Sequence, residues 1–333
     1  MNKMGKKVAI LGATGVVGQE MIKVMQERNF PVSELVPLAS ARSVGKKVKY
    51  GDREFTVAEA GPDAFKGCDI VLGAAENDIS KAMLPYIKES GAVYIDNSSA
   101  FRLDPDVPLV VPELNAGDIK LHKGVIANPN CVTIIALVAL APILKLSKIN
   151  TLVASSYQAV SGAGAKGLAE LEKQALDYAA GKELEISAFQ YQIMFNLIPR
   201  IGGISENGFS SEEMKLQNEG RKITHLQDMK VCCTCVRVPV LRSHSISMQI
   251  VTEDHLEIDQ IKAAIAAGDG VKLYDDAPNN IYPMPLVTSD QDLVYVGRIR
   301  KDLINENGIA LWCCGDQIRK GAATNAVQIA ELL

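Results

Sequence analysis

The chain reads as an α/β protein, with a doubly wound parallel sheet at its N-terminal end followed by a second domain of mixed α and β structure. Three observations predict this. An apolar strand runs straight into a glycine-rich loop and a helix within the first thirty residues. Strand and helix patterns then alternate up to about residue 128. Beyond residue 149 the strands lengthen and two of them read as a hairpin. At 333 residues the chain is also too long for one ordinary core, which suggests two domains.

The first element is Lys7-Val8-Ala9-Ile10-Leu11, a short apolar strand. Gly12-Ala13-Thr14-Gly15-Val16-Val17-Gly18 follows at once and leads into residues 19–25, whose apolar side chains recur at helical spacing. The loop reads G-x-x-G-x-x-G and departs from G-x-G-x-x-G, but strand, glycine loop and helix in succession form the context of a Rossmann-type dinucleotide site. Gly12 permits the tight turn, Gly15 lets the backbone approach a pyrophosphate at the helix N-terminus, and Gly18 allows helix and strand to pack closely. Thr14, Val16 and Val17 complete the expected cofactor contacts of this loop.

Residues 35–39 form the next strand. At its end an NAD site would place Asp or Glu against the ribose hydroxyls; here the chain reads Ser40-Ala41-Arg42-Ser43. Arg42 between Ser40 and Ser43 suits a 2′-phosphate, which an acidic side chain would repel, so the expected cofactor is NADP. On the residues alone, a solvated basic loop is the competing reading. Residues 69–75, 93–97 and 109–111 are the remaining strand candidates of the parallel sheet.

The second domain opens on Asn128-Pro129-Asn130-Cys131. Asn130 is a good N-cap and residues 132–144 read as a buried helix, so the Cys131 thiol falls in the first helical turn. Unpaired backbone N–H groups and the positive end of the helix dipole there favour a thiolate, the nucleophilic form. Most cysteines are nevertheless packing, and this segment alone does not separate the two roles. Residues 151–157, 232–238, 244–251, 293–300 and 309–314 are strand candidates, the last two joined by a turn at Asn305-Glu306-Asn307-Gly308. Residues 315–333 carry Ile318, Ala322, Ala326, Ile329, Ala330 and Leu333 at helical spacing, with small residues that would let this helix pack back on the first domain. The expected division is 1–128 for the NADP-binding domain, completed by 315–333, and 129–314 for the catalytic and dimerisation domain.

Composition excludes several classes. A net charge of −4 gives no electrostatic reason to expect nucleic acid or an anionic membrane as partner. No signal peptide fits the N-terminal residues, and the helix at 132–144 is too short to span a bilayer, so cytoplasmic residence is expected. Seven cysteines in such a chain do not suggest a disulfide framework. Cys232 and Cys235 form a C-x-x-C without a second pair at zinc spacing, the histidines show no ligand spacing, and no metal is expected.

Taken together, Gly12-Ala13-Thr14-Gly15-Val16-Val17-Gly18, Ser40-Ala41-Arg42-Ser43, Asn97-Ser98-Ser99-Ala100-Phe101-Arg102, Asn128-Pro129-Asn130-Cys131, Tyr157-Gln158-Ala159-Val160-Ser161-Gly162, Glu212-Glu213-Met214-Lys215, Arg237 to His244 and Gly315-Asp316-Gln317 resemble the aspartate-β-semialdehyde dehydrogenase family over essentially the whole chain. The resemblance implies NADPH-dependent, reversible reductive dephosphorylation of 4-phospho-L-aspartate to L-aspartate 4-semialdehyde and inorganic phosphate through a Cys131 thioester. The reaction belongs to the biosynthesis of lysine, diaminopimelate, threonine, methionine and isoleucine, and a homodimer is implied. By the same resemblance His244 is the general acid/base near neutral pH and Gln158 orients the substrate. Arg237 holds the α-carboxylate, Glu212 the ammonium group, and Arg102 and Lys215 the phosphate. Asn130 joins the substrate contacts, and Ser161, Gly162 and Gln317 meet the cofactor. Two competitors remain: a reductase of N-acetyl-γ-glutamyl phosphate, disfavoured because an acetylated amine offers Glu212 no charge to pair, and a nonenzymatic NADP-binding sensor, which needs neither Cys131 nor His244.

Overall fold

In the computed structural model, which describes residues 5–333, the chain divides into two compact units. One comprises residues up to Asn130 together with Ala322–Leu333; the other is Cys131–Gly321.

The first unit is built on β1 (Lys6–Leu11), β2 (Val32–Ala39), a hairpin of β3 (Lys47–Tyr50) and β4 (Arg53–Thr56), and β5 (Ala58–Glu59). It continues with β6 (Ile70–Gly73), β7 (Val93–Asp96) and β8 (Val125–Ala127). Helices α1 (Val16–Glu27), α2 (Asn77–Glu89) and the short α3 (Pro112–Asn115) lie between them. Six strands pair in parallel in the order β5-β2-β1-β6-β7-β8. The order reverses at β1, and the glycine loop leaves the carboxyl end of that strand, the place where doubly wound sheets open a crevice for ligands. Val8, Ala9, Ile10 and Leu11 are all buried, as expected of a strand covered on both faces. The C-terminal helix, Thr324–Glu331, belongs to this unit: Ala326, Val327, Ile329 and Ala330 join Met21, Val24 and Met25 of α1 in one core. Arg28 and Glu331 pin its end through two hydrogen bonds of 2.8 and 2.6 Å.

Two expectations need correcting here, and three short strands were not anticipated. Residues 109–111 are buried but form no strand; Leu109 makes a single bridge to Ala127, and the sixth strand is β8. Pro108 and Pro112 flank the apolar run and remove the N–H groups a ladder needs at each end. The hairpin β3–β4 and the two-residue β5 went unread because they carry only short, half-exposed patterns. The last segment does not turn helical at 315. Gly315 closes a strand, the Asp316 carboxylate accepts the Ile318 and Arg319 N–H groups at 2.9 and 3.1 Å, and a π-helical turn over Arg319–Ala323 precedes the regular helix.

The second unit starts with α4 (Cys131–Leu144), buried from Val132 to Ile143 and without a polar face. Then come β9 (Ile149–Gln158), α5 (Gly164–Ala179), α6 (Ser211–Thr224), β10 (Lys230–Arg237), β11 (His244–Thr252) and α7 (Ile258–Ala266). The unit ends with β12 (Val271–Leu273), α8 (Pro285–Thr288), β13 (Val294–Lys301) and β14 (Gly308–Gly315). The sheet order is β10-β9-β11-β14-β13-β12; β9 with β10 and β12 with β13 are parallel, and the remaining pairs are antiparallel. The expected hairpin of the last two long strands is present as β13 and β14. Register fixes the functional end of this sheet. Arg237, the last residue of β10, pairs with Gln158, the last of β9, and β11 starts beside them at His244.

Candidate active site

Cys131 is the first residue of α4, and Asn130, buried, stands immediately before it. The thiol is only partly buried, whereas Cys68, Cys233, Cys235, Cys313 and Cys314 are buried. Burial raises the thiols of Cys68, Cys313 and Cys314 above the usual cysteine range. Cys233 is raised too, first by its hydrogen bond to Cys235, whose sulfur lies 3.7 Å away, and then by burial. The approach to Cys131 is tight: a Cβ on Gly321 would lie 3.0 Å from the Cys131 Cβ.

Around it the second unit gathers groups of both charges. Arg237 is 6 % exposed; its Nη1 donates to the Ala159 carbonyl at 2.6 Å, and the guanidinium lies 5.9 Å from the centre of the Phe189 ring. Burial lowers its pKa, while the negative charges available to Cys131 and Glu212 oppose that shift. Glu212 sits in the first turn of α6, whose start is set by a capping box between Ser210 and Glu213. The Glu212 carboxylate accepts from Gln158 Nε2 at 3.3 Å and from Lys215 Nζ at 2.8 Å, and Gln158 also reaches Ser156. Glu212 and Lys215, expected at opposite ends of a substrate, are thus paired with each other, one helical turn apart.

His244 is fully buried. Its Nδ1 accepts the Ala159 N–H at 3.0 Å, so the neutral ring carries its proton on Nε2. Among the described residues Nε2 has no hydrogen-bond partner. Burial, and then the positive charge of Arg237, push its pKa down to about 3, with Glu212 opposing. The expectation of titration near neutral pH therefore needs correcting: with Nδ1 held by a backbone donor, the ring offers the site a fixed N–H. Gly162 stands directly over these groups, since a Cβ there would lie 2.8 Å from Arg237 Nη1 and 3.3 Å from His244 Nε2. Gln317 braces the same corner: its Oε1 accepts the Ser243 N–H at 2.8 Å and its Nε2 donates to the Ser161 hydroxyl. Both ends of this amide are engaged within the protein.

The first unit holds the residues of the glycine loop and of the turn after β2 that are expected to meet the dinucleotide, and their geometry fits one; Ser161, Gly162 and Gln317, also expected there, belong to the second unit. Gly12 has φ +93°, and a Cβ on it or on Gly18 would strike backbone carbonyls, those of Ala74 and Gly12 respectively. No side chain caps the start of α1 at Gly15, which leaves the first helical turn without a side-chain acceptor, as a helix start that receives an anion requires. The Thr14 hydroxyl donates to Ser43 at 3.3 Å, tying the loop to the 3₁₀ turn Ala41–Ser43, on which Arg42 and the neighbouring Ser40 are exposed. Among the described residues no group of acidic, His or Cys side chains could hold a metal ion, and no helix is long and apolar enough to cross a membrane.

Arg102 belongs to the first unit. It is buried, and its Nε and Nη2 donate to the carbonyls of Asn128 and Asn97 at 3.0 and 2.7 Å. Sequence reasoning missed Ala159, whose N–H fixes the His244 tautomer; an alanine carries no chemical signal, and only its place after Gln158 could have pointed to it.

Comparison with known proteins points to one family. A family profile described as semialdehyde dehydrogenase, NAD binding domain, matches residues 7–122, and one described as semialdehyde dehydrogenase, dimerisation domain, matches residues 140–320. An aspartate-semialdehyde dehydrogenase of Aquifex aeolicus is 49 % identical over 99 % of this chain and 98 % of its own. Among solved structures, aspartate semialdehyde dehydrogenase II from Vibrio cholerae, complexed with ASA, superposes with a TM-score of 0.96 at 41 % identity, covering 99 % and 98 % of the two chains. The Candida albicans enzyme, solved with NADP, gives a TM-score of 0.75 at 25 % identity over 99 % and 98 %.

Proposed function

Because the chain belongs to the aspartate-semialdehyde dehydrogenase family of oxidoreductases, we propose that it interconverts 4-phospho-L-aspartate and L-aspartate 4-semialdehyde through a thioester on Cys131. NADPH and NADP+ are the redox pair and inorganic phosphate is the third reactant. One observation carries this reading: a thiol at a helix start shares a unit with a buried guanidinium, a carboxylate, an amide and a neutral imidazole, namely Arg237, Glu212, Gln158 and His244. The Vibrio cholerae complex with ASA supports the semialdehyde as substrate, and the Candida albicans structure supports NADP. Arg42, at the end of β2 where an NAD site carries an acid, supports NADP over NAD.

In the reducing direction the Cys131 thiolate, favoured by the first turn of α4, attacks the acyl carbon. The carbon–oxygen bond to phosphate breaks, phosphate leaves with the electron pair, and a thioester remains. The bound nicotinamide supplies the hydride that the acyl group must take up. Each time the reacting carbonyl is attacked its oxygen becomes negative, and the Nε2–H of His244 is the donor that holds that charge. When the carbon–sulfur bond breaks, the electron pair returns to sulfur and the aldehyde leaves. Arg237 holds the α-carboxylate with the edge of its fork not spent on Ala159, and Glu212 receives the ammonium group. Gln158 and Asn130 orient the substrate, and Lys215 and Arg102 hold phosphate. Ser161, Gly162 and Gln317 line the nicotinamide side. The matched dimerisation domain supports a homodimer. Cytoplasmic residence fits a reaction that depends on a reduced thiol.

A single absorbance assay tests the reading. Phosphate-dependent reduction of NADP+ is expected with aspartate semialdehyde. Reduction with N-acetyl-glutamyl semialdehyde instead would reassign the substrate, and reduction with neither would leave a binding protein.

A further inference from the structure

Asn325 is fully buried in the C-terminal helix, on the side that meets the parallel sheet. Its side-chain amide donates to the Val110 carbonyl at 2.9 Å and to Asn128 Oδ1 at 2.7 Å. Asn128 donates onward to Asn97 Oδ1 at 2.8 Å, and Asn97 to the carbonyl of Gly73 at 2.7 Å. The three amides thus run in series, each donating to the next acceptor, an arrangement in which successive hydrogen bonds polarise one another.

The backbone of Asn128 is held as firmly as its side chain. Its N–H donates to the Asp96 carbonyl at 2.7 Å, and its own carbonyl accepts Arg102 Nε at 3.0 Å. Asp96 is in turn held by Ser80 and Tyr94, each at 3.0 Å from its Oδ1. Pro129 follows, with its φ fixed by the ring and the preceding residue restricted by it, and two residues later the chain reaches Cys131. The chain thus enters α4 three residues after a position held through its N–H, its carbonyl and its side chain. Docking the C-terminal helix does not require an amide at 325, because Ala326, Val327, Ile329 and Ala330 already supply its apolar contacts. A buried amide costs stability unless satisfied, and this one is satisfied by the turn.

We propose that Asn325 is a positioning residue for Cys131: through the side chain of Asn128 it fixes the turn from which the thiol projects, so that the last helix of the chain sets the reactivity of the nucleophile. The proposal rests on Cys131 being that nucleophile. Rotating the turn moves the sulfur away from the N–H groups of the helix start, and the thiolate loses stabilisation.

The test is alkylation of Cys131 by iodoacetamide between about pH 5.5 and about pH 9.5, without substrate or cofactor, with Cys131→Ser correcting for other thiols and thermal unfolding measured in parallel. In Asn325→Ala the rate at neutral pH should fall about tenfold, as the profile moves up by about one pH unit. Val327→Ala, which trims the same helix within the same core, should lower the melting temperature and leave the profile in place. Asn325→Ser keeps one hydroxyl donor and should fall between wild type and Asn325→Ala. A folded Asn325→Ala with an unshifted profile overturns the proposal, as does a Val327→Ala profile shifted equally far. If Asn325→Ala does not fold, the serine variant decides, and a wild-type profile there overturns it. A wild-type enzyme whose Cys131 resists alkylation across the whole range overturns the assignment of the nucleophile, and this proposal with it.

Discussion

The glycine loop of the first unit and the Cys131 site of the second both suit anions, but they are built by opposite means. In the loop the work falls to the backbone: Gly12 and Gly18 are needed because any Cβ would meet a carbonyl, and the start of α1 has no side-chain cap. In the second unit the charges are side chains, Arg237, Glu212 and Lys215, delivered to one end of a sheet by β10 and α6 and held there by ion pairs and by the Ala159 carbonyl. A backbone site is local in sequence and tolerates almost no added atoms. A side-chain site is dispersed, and each member can be altered with a separate consequence.

The largest expected effect contrasts two thiols of the second unit. Cys131→Ala should lower turnover by several orders of magnitude with cofactor affinity nearly unchanged, because the covalent bond forms at that sulfur. Cys233→Ala removes a thiol that burial and Cys235 keep protonated, so activity per folded molecule should persist. Steady-state rates with cofactor titrations check both; full turnover without the Cys131 sulfur would end the mechanism.

A smaller effect is expected where the first unit does use a side chain. Arg42→Glu should weaken NADP by about tenfold to a hundredfold, as an attraction to the 2′-phosphate becomes a repulsion, and should change NAD much less. Equal losses for the two cofactors, measured by fluorescence titration, would mean that Arg42 supports its turn and does not read the phosphate.

The effect expected at His244 is on stability and leaves the cofactor aside. Its folded pKa, pushed to about 3, lies below the ordinary 6.5, so between these values the unfolded chain binds a proton that the native protein does not. Its contribution to stability is present above pH 6.5 and is lost as pH falls toward 3, with a slope of at most about 1.4 kcal/mol per pH unit. His244→Gln, which keeps a donor and removes the titration, should flatten the fall in urea midpoint between pH 6.5 and 4.5. An equally steep fall in the variant would assign the acid sensitivity to other groups.

The same contrast explains what could be read from sequence. The strand, glycine loop and helix at residues 6–27, and the thiol after Asn-Pro-Asn, are contiguous signals, and the structure places them in β1, α1 and α4. The 109–111 run misled because apolar character alone does not say whether N–H groups are free to pair, and β8 was passed over because three residues between Gly124 and Asn128 carry no period. The amide series from Asn325 to Gly73 spans the first unit from its last helix to the end of β6, and no local pattern announces a partner so far away in sequence. The state of His244 was out of reach for a related reason, since it depends on the backbone N–H of Ala159, just past the end of β9, and on total burial.

The C-terminal helix also bears on how the chain is made. The core of the first unit lacks Ala326, Val327, Ile329 and Ala330 until roughly 190 further residues, the whole of Cys131–Gly321, have been synthesised. At elongation speeds of about 5–20 residues per second, that is a delay of roughly 10–40 s. During it the nascent sheet carries an uncovered apolar face beside α1, the kind of surface that invites chaperones or misassociation. The second unit, contiguous in sequence, can close first, so the order of folding on the ribosome would reverse the order of the two units in the chain.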